Sequence, residues 1–121
     1  MDFERLTRKS QEALQSAAGL ARDRHHTEVG PAHLLHALAS QPEGVVMPLL
    51  QRLGVTPTAL RRSVDELLDT IPTAYGASGE VRLSQPLIAV LDVGEQEMAA
   101  LGDDYVSTEH LLIALADADG R

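Results

Sequence analysis

An internal repeat is the feature of this 121-residue chain that most restricts its fold. The segment VGPAHLLHALA at residues 29–39 returns 77 residues later as VSTEHLLIALA at residues 106–116, and seven of the eleven positions are identical. The same offset relates three further pairs of similar residues, namely Leu6 and Leu83, Thr7 and Ser84, and Leu14 and Leu91. Because one register extends over two segments without a gap, we interpret the chain as a duplicated unit.

Apolar residues recur at spacings of three and four along most of the chain, which predicts amphipathic helices. The first predicted helix runs from Phe3 to about Arg22 and contains Thr7 in an early turn. Capping residues and glycines predict the other boundaries: starts at Gly30, Thr56, Ser84 and Ser107 or Thr108, and ends at Gly54 and Gly102. Since no segment alternates with a period of two, the predicted fold class is all-α, a pseudo-duplicated helical bundle.

Length and composition predict a single domain over residues 1–121, because the chain is too short for two independent cores. The first repeat is assigned to residues 1–71, a linker rich in turn residues to 72–82, and the second repeat to 83–121. The offset places the counterparts of the third and fourth helices beyond Arg121, so we expect a truncated second repeat. It also predicts an unusually apolar surface around the leucines of the last helix, Leu111, Leu112 and Leu115.

Charge and residue usage exclude several classes of protein. The net charge is −8 and Lys9 is the only lysine, which argues against nucleic-acid binding. The absence of cysteine means that no oxidising compartment is needed, and no apolar run approaches the roughly 20 residues that span a bilayer. The first residues also lack the pattern of a secretory signal. A cytoplasmic protein that binds no membrane is predicted.

Several motifs resemble the N-terminal domain of the Clp AAA+ chaperones. They are the paired His-Leu-Leu motif, the Leu6-Thr7 start, the mid-chain linker, and the stretch GDDYVSTEHLL at residues 102–112. The resemblance covers essentially the whole chain. Within the family, Gly30-Pro31-Ala32-His33 is more similar to the ClpB disaggregases than to ClpC, which tends to carry Gly-Thr-Glu-His in both halves.

The resemblance implies a substrate-engaging domain tethered to a homohexameric AAA+ ring of the same, longer chain. Such a domain binds unfolded or aggregated polypeptide through an apolar groove with polar edge residues and passes it to the ring. ATP and Mg²⁺ would act in the AAA+ modules, and a DnaK-type co-chaperone system would contact other domains. The chain contains no Gly-x-x-x-x-Gly-Lys-Ser/Thr loop, so we expect neither catalysis nor a cofactor here.

The family pattern also assigns site residues by position. It implies that Thr7, Asp103 and Glu109 contribute polar contacts, that Leu91 lines the groove, and that His110 belongs to the substrate site. Three of these residues have a structural alternative: Thr7 can bond a nearby carbonyl, Glu109 can stabilise a helix start, and Leu91 can pack in the core.

Three other interpretations remain open at this stage. A ClpC-like adaptor or phosphoarginine-binding domain would use the acidic residue of each motif, but only Glu109 is present, since Ala32 occupies the first position. A stand-alone adaptor would keep the fold without the motor. A metal site is suggested by four clustered histidines, His25, His26, His33 and His36. Because His33 has a repeat partner in His110, we favour a structural role for the histidines and predict no metal.

Overall fold

A computed structural model of the chain describes residues 2–75 and 80–119. These residues form six α-helices, one short 3-10 helix and two strands of two residues each. In chain order the elements are the 3-10 helix Phe3–Arg5, α1 (Arg8–Asp23), β1 (Glu28–Val29), α2 (Pro31–Ser40), α3 (Val46–Arg52), α4 (Pro57–Leu68), β2 (Arg82–Leu83), α5 (Gln85–Ala100) and α6 (Thr108–Asp119). The predicted all-α class is confirmed, with the two short strands as an addition.

Most helix boundaries lie where the capping residues predict them. Ser84 precedes α5 and its hydroxyl oxygen accepts a hydrogen bond from the Leu87 N–H at 3.2 Å. Gly54 and Gly102 follow α3 and α5 with φ angles of +82° and +75°, a conformation that glycine adopts without strain. Local sequence chemistry therefore determines where these helices begin and end.

The N-terminal segment differs from the predicted single helix. Leu6 is extended and pairs with Val106 in an isolated parallel β-bridge, which separates the 3-10 helix from α1. Thr7 consequently becomes the N-cap of α1, and its hydroxyl oxygen accepts from the Ser10 N–H at 3.2 Å. Helical periodicity could not reveal this break, because the residue that causes it lies far along the chain.

The 77-residue offset relates backbone contacts as well as residue types. Strand β1 of the first half pairs in parallel with β2, whereas Leu6 pairs with Val106 of the second half. The hydrogen bonds match: the Thr7 N–H donates to the Val106 carbonyl at 3.0 Å, and the Ser84 N–H donates to the Val29 carbonyl at 3.0 Å. Each half therefore contributes one extended segment to a pairing with the other half.

A mainly aliphatic core lies between α1, α2, α5 and α6. Its largest fully buried side chains include Leu34, Leu38, Leu87, Leu91 and Leu111. Gly94 allows α6 to approach α5 closely, since a Cβ atom there would lie 3.2 Å from Leu111 Cδ2. The core thus joins the helices of both halves into one packed unit.

The surface around the leucines of α6 corrects one prediction. Leu111 is 0% and Leu115 is 3% exposed, and Leu112 is half-buried against the core. These side chains point toward α5 and the first half of the chain, because α6 packs mainly on α5 and also contacts α1, α2 and α3. The predicted unusually apolar surface at these residues is therefore wrong.

The predicted linker 72–82 is partly in contact with the first half. The Ala74 N–H donates to the His25 carbonyl at 2.8 Å, and Arg82 already belongs to β2. Residues 76–79 lie outside the described residues. Across residues 2–75 and 80–119, no helix combines the length and apolar character that a membrane crossing requires.

The capping geometry predicts a difference between two helix starts. Ser84→Ala should lower the free energy of unfolding by about 1 kcal/mol, because the buried Leu87 N–H loses its acceptor. Thr56→Ala is the matched control, since no N–H of the described backbone caps onto the Thr56 hydroxyl, and it should cost less than about 0.5 kcal/mol. Urea denaturation measures both. Equal losses would contradict the capping role of Ser84.

Candidate functional site

An apolar groove of about 540 Å³ lies between the N-terminal segment, α1 and β2. Its lining comprises the apolar residues Phe3, Leu6, Leu14, Ala18 and Leu83 and the polar residues Glu4, Gln11 and Gln15. The four α1 residues recur at spacings of three and four, so they share one face of the helix. Leu6 and Leu83 are partners at the 77-residue offset and are placed here by the two backbone pairings.

The groove presents apolar side chains to solvent. Phe3 is the only phenylalanine of the chain and is 48% exposed, while Leu14 and Leu83 are only partly buried. The side chain of Gln11 donates to the Leu6 carbonyl at 3.1 Å and thereby fixes the segment that carries Phe3. An open apolar groove bordered by amide groups is the kind of surface that binds apolar ligands.

An acidic cleft of about 470 Å³ adjoins this groove. It is lined by Asp2, Glu4, Arg5, Asp104 and Tyr105, and Glu4 also lines the groove. The Arg5 guanidinium donates from Nε to the Asp104 carbonyl at 3.0 Å, so its position is fixed. Three carboxylates face one guanidinium, which gives the cleft a net negative charge and favours cationic groups.

Thr7 is occupied by contacts at the junction of the two halves. Its hydroxyl donates to Ser10 Oγ at 3.0 Å, and the Ser10 hydroxyl donates in turn to the Val106 carbonyl at 2.9 Å. The hydroxyl oxygen of Thr7 also caps α1. The structure therefore gives Thr7 a positioning role for the segment that carries Leu6.

His110 is buried and supports Asp103. Its Nδ1 accepts from the Ser107 N–H at 2.8 Å, so in the neutral ring the proton is on Nε2, which donates to Asp103 Oδ2 at 2.8 Å. His110 is 4% exposed, whereas the Asp103 side chain is 52% exposed. Asp103 can reach a ligand, but His110 acts through Asp103 and is corrected from a contact residue to a supporting one.

Glu109 is exposed in the first turn of α6.

The first half contains the equivalent histidine pair. His33 Nδ1 accepts from the Gly30 N–H at 2.9 Å, and its Nε2 lies 2.8 Å from His26 Nδ1. At the 77-residue offset, His33 corresponds to His110 and His26 corresponds to Asp103. Two neutral imidazoles therefore occupy the place of an imidazole and a carboxylate.

Burial keeps the histidine pair neutral. Burial, followed by the neighbouring His26 and Arg24, lowers the pKa of His33 to about 4. The pKa of His26 is also lowered, mainly by burial and to a smaller extent by the positive charge of Arg24. At neutral pH both rings are uncharged, and the tautomers follow from the hydrogen bonds: His33 donates from Nε2 to His26 Nδ1.

The histidines of the metal hypothesis have protein partners. Both ring nitrogens of His33 are used, and His36 Nε2 lies 3.2 Å from Asp65 Oδ1. The His25 ring lies against Tyr75, with 4.2 Å between the ring centroids. Over the part of the chain that the structure describes, no three His, Cys, Asp or Glu side chains are grouped as metal ligands.

Leu91 requires the second correction to the predicted site. It is 1% exposed within the core, so it offers no surface to a ligand. Its repeat partner Leu14 lines the groove instead. The signal was available in the sequence: four and three residues before Leu91 are the apolar Leu87 and Ile88, whereas the same positions before Leu14 are the polar Ser10 and Gln11.

The structure places Thr7 against Val106, three residues along the chain from both Asp103 and Glu109, and outside the groove. Among the described residues that line the groove, none is one of the five predicted site residues. Sequence reasoning assigned Phe3 to the predicted first helix and missed its place in the groove, because the break at Leu6 depends on the pairing with distant Val106.

Comparison with known proteins establishes the family. The model of the Clp repeat (R) N-terminal domain matches residues 5–121. The chain belongs to the Clp N-terminal domain family. This Clp N-domain is 41% identical to the chaperone protein ClpB of Mycobacterium tuberculosis over an alignment of 119 positions that covers 98% of the chain. It is 35% identical to ClpB of Bacillus cereus over an alignment of 123 positions, gaps included, that covers 99% of the chain. It spans 14% of the length of each relative.

Solved structures share the fold. The N-terminal domain of the ClpV1 ATPase from E. coli has a TM-score of 0.84 at 31% identity, covering 94% of this chain and 69% of that one. The Hsp104 N-terminal domain from Candida albicans has a TM-score of 0.84 at 24% identity, with coverages of 95% and 75%. A complex of the ClpV N-domain with a VipB peptide has a TM-score of 0.78 at 22% identity, with coverages of 95% and 71%.

The different environments of Leu91 and Leu14 predict different stability effects. Leu91→Ala should lower the free energy of unfolding by about 2 to 5 kcal/mol, because it leaves a cavity in the core. Leu14→Ala should cost only about 1 to 2 kcal/mol, because the side chain is already partly in water. Chemical denaturation measures both variants, and a larger loss for Leu14→Ala would contradict the assignment of Leu14 to the groove.

Proposed function

We propose that this Clp N-domain engages unfolded or aggregated polypeptide for a ClpB-type, ATP-dependent disaggregase. The observation that carries the proposal is the apolar groove in which Phe3 is half exposed beside Leu14 and Leu83. Unfolded chains expose apolar side chains that native proteins bury, so such a groove distinguishes them from folded proteins.

The groove suits ligands of varied sequence. Its apolar lining is one aromatic ring, three leucines and an alanine, which offer shape-tolerant contact rather than a fixed set of directional bonds. Gln11 and Gln15 add amide groups that can bond an incoming peptide backbone. We expect dissociation constants on the order of micromolar or weaker, since ordering a flexible chain opposes binding. Weak binding permits release toward the ring.

We assign the polar residues of the proposal to the surface around the pairing of Leu6 with Val106, outside the lining of the groove. Asp103 and Glu109 supply exposed carboxylates, His110 orients Asp103, and Thr7 holds the segment from which Phe3 extends. Together with the acidic cleft, they favour substrate segments that are both apolar and basic.

The remaining parts of the function are assigned to the longer chain. The ClpB relatives are named as chaperone proteins. The structure of a ClpV N-domain in complex with a VipB peptide supports peptide binding by this fold. We assign ATP and Mg²⁺ to AAA+ modules of a homohexameric ring that receives the substrate. A DnaK-type co-chaperone would contact other domains. The domain itself is non-catalytic, holds no cofactor and acts in the cytoplasm.

The proposal predicts where an unfolded chain binds. In a chemical-shift titration with a soluble, permanently unfolded polypeptide, perturbed amides should cluster around Phe3, Leu14 and Leu83. Phe3→Ser and Leu14→Ser should weaken binding roughly tenfold each, because each removes about 1.4 kcal/mol or more of apolar contact. Leu53→Ser is the matched control, since Leu53 is 71% exposed but does not line the groove.

The same titration separates the competing sites. A Thr7→Ala, Glu109→Ala variant should bind more weakly but keep the perturbed groove residues. Free phosphoarginine should displace nothing from the groove. Displacement by phosphoarginine, or equal weakening by Leu53→Ser, would contradict the proposed groove.

The acidic cleft predicts salt dependence. Binding of an apolar and basic unfolded segment should weaken as ionic strength rises, because salt screens the attraction to Asp2, Glu4 and Asp104. An apolar segment without basic residues should show little change. Affinities measured by fluorescence anisotropy at 50 and 500 mM salt, on the order of one decade apart, test this. Indifference of the basic segment to salt would contradict it.

A further inference from the structure

The hydrogen bond between His26 and His33 tolerates no additional proton. His26 is 4% and His33 is 2% exposed, and His33 Nε2 donates to His26 Nδ1 at 2.8 Å. A proton added to His26 Nδ1 places two N–H groups against each other. A proton added to His33 Nδ1 opposes the Gly30 N–H, which donates to that nitrogen at 2.9 Å. Either protonation therefore breaks a buried hydrogen bond.

The segment from His25 to Gly30 also holds the connection between the two halves. The His25 carbonyl accepts from the Ala74 N–H at 2.8 Å, and the Thr27 carbonyl accepts from the Arg82 N–H at 3.2 Å. Strand β1 then pairs with β2, whose Leu83 lines the groove. The histidine pair fixes one side of this segment, and the paired backbone occupies the other.

We infer that the His26–His33 hydrogen bond is an acid-labile latch, which holds β1 against β2 and so positions the Leu83 wall of the groove. Acid opens the latch in the first half only. The inference stands apart from the proposed substrate, because its test measures the backbone pairing and not binding.

The charges around the histidine pair favour breaking of the His26–His33 hydrogen bond when either ring is protonated. Arg24, at the end of α1, is the cationic group beside the pair, and His36, on α2, is a further titratable group near His33. The carboxylates from α4, Asp65 and Asp69, are bonded to these groups: Arg24 contacts both, and His36 contacts Asp65. From the start of α5 the nearest group is the uncharged Ser84 hydroxyl beside Gly30. The side chains that perturb the pKa values of His26 and His33 are Arg24 and other histidines, and the carboxylates of Asp65 and Asp69 are bonded to Arg24 and His36 rather than to the pair.

The pH window follows from the direction of the shifts. Burial lowers the pKa of His33 from 6.5 to about 4 in the folded state and lowers that of His26 as well. The unfolded or opened state therefore binds protons first as the pH falls. The stability of the closed latch is fully present above pH 6.5 and is lost as the pH approaches about 4.

The second half contains the equivalent pair, with a carboxylate in place of the second imidazole. There the partner of the imidazole is the Asp103 carboxylate, at 2.8 Å from His110 Nε2. The positive charge of a protonated His110 ring would lie beside the Asp103 carboxylate, whereas the charge of a protonated His33 ring would lie beside another imidazole. The two equivalent backbone pairings should therefore respond differently to acid, and each serves as the reference for the other.

Amide hydrogen exchange of the 121-residue chain tests the latch. Between pH 7.5 and pH 5, after correction for intrinsic exchange, protection of the Ser84 amide should fall roughly thirtyfold, from the shift of His33 alone. Protection of the Thr7 amide, which makes the equivalent bond to Val106, should change less than about threefold. A parallel fall at Thr7 and Ser84 would overturn the inference.

One substitution introduces the carboxylate–imidazole pair of the second half into the first half. His26→Asp reproduces the Asp103–His110 pair and should retain Ser84 protection at pH 5. His25→Asn, which replaces an exposed histidine of the same segment by a residue that tolerates its positive φ of 61°, should remain acid-sensitive. If His26→Asp proves unstable, the ring resonances of the unaltered chain decide: His26 or His33 must titrate together with the loss of Ser84 protection. Loss of protection without their titration refutes the latch.

Discussion

The crossed backbone pairing between the two halves is the constraint on which the rest of the structure depends. Leu6 pairs with Val106, and β1 pairs with β2, so each half supplies one extended segment to each of the two pairings. These contacts satisfy backbone groups that the buried junction would otherwise leave unpaired. They also set the start of α1 at Arg8 and of α5 at Gln85, and they place Leu6 and Leu83 together in the groove.

Within this shared backbone, substitutions between equivalent positions make the two halves different. Leu14 and Leu91 are the same residue type, but Gln11 beside Leu14 corresponds to Ile88 beside Leu91, and Leu14 opens onto the groove while Leu91 is enclosed in the core. His26 stands where the other half has Asp103. The backbone contacts do not change, because N–H and C=O groups are common to all these residues. Differences in side-chain size and charge therefore produce one groove and one histidine pair in an otherwise repeated framework.

The electrostatics of the domain agree with the task proposed for it. A net charge of −8 and an acidic cleft beside the groove make the surface attractive to basic, apolar segments, while the buried histidines remain neutral at neutral pH. Affinity then rests on adaptable apolar contact, and the carboxylates influence the encounter. A receptor of this kind binds unfolded chains without requiring a particular sequence.

The sequence by itself determined the family, the all-α class, and the helix boundaries at Ser84, Gly54 and Gly102, because repeats, caps and helix-ending glycines act over a few residues. The sequence also contained the polar residues beside Leu14, which distinguish the environment of this leucine from that of Leu91. Only the tertiary structure decided that Leu6 breaks the first helix, that His110 is enclosed behind Asp103, and that Phe3 borders a groove. Those features depend on contacts between residues distant in the chain, and local periodicity carries no information about such contacts.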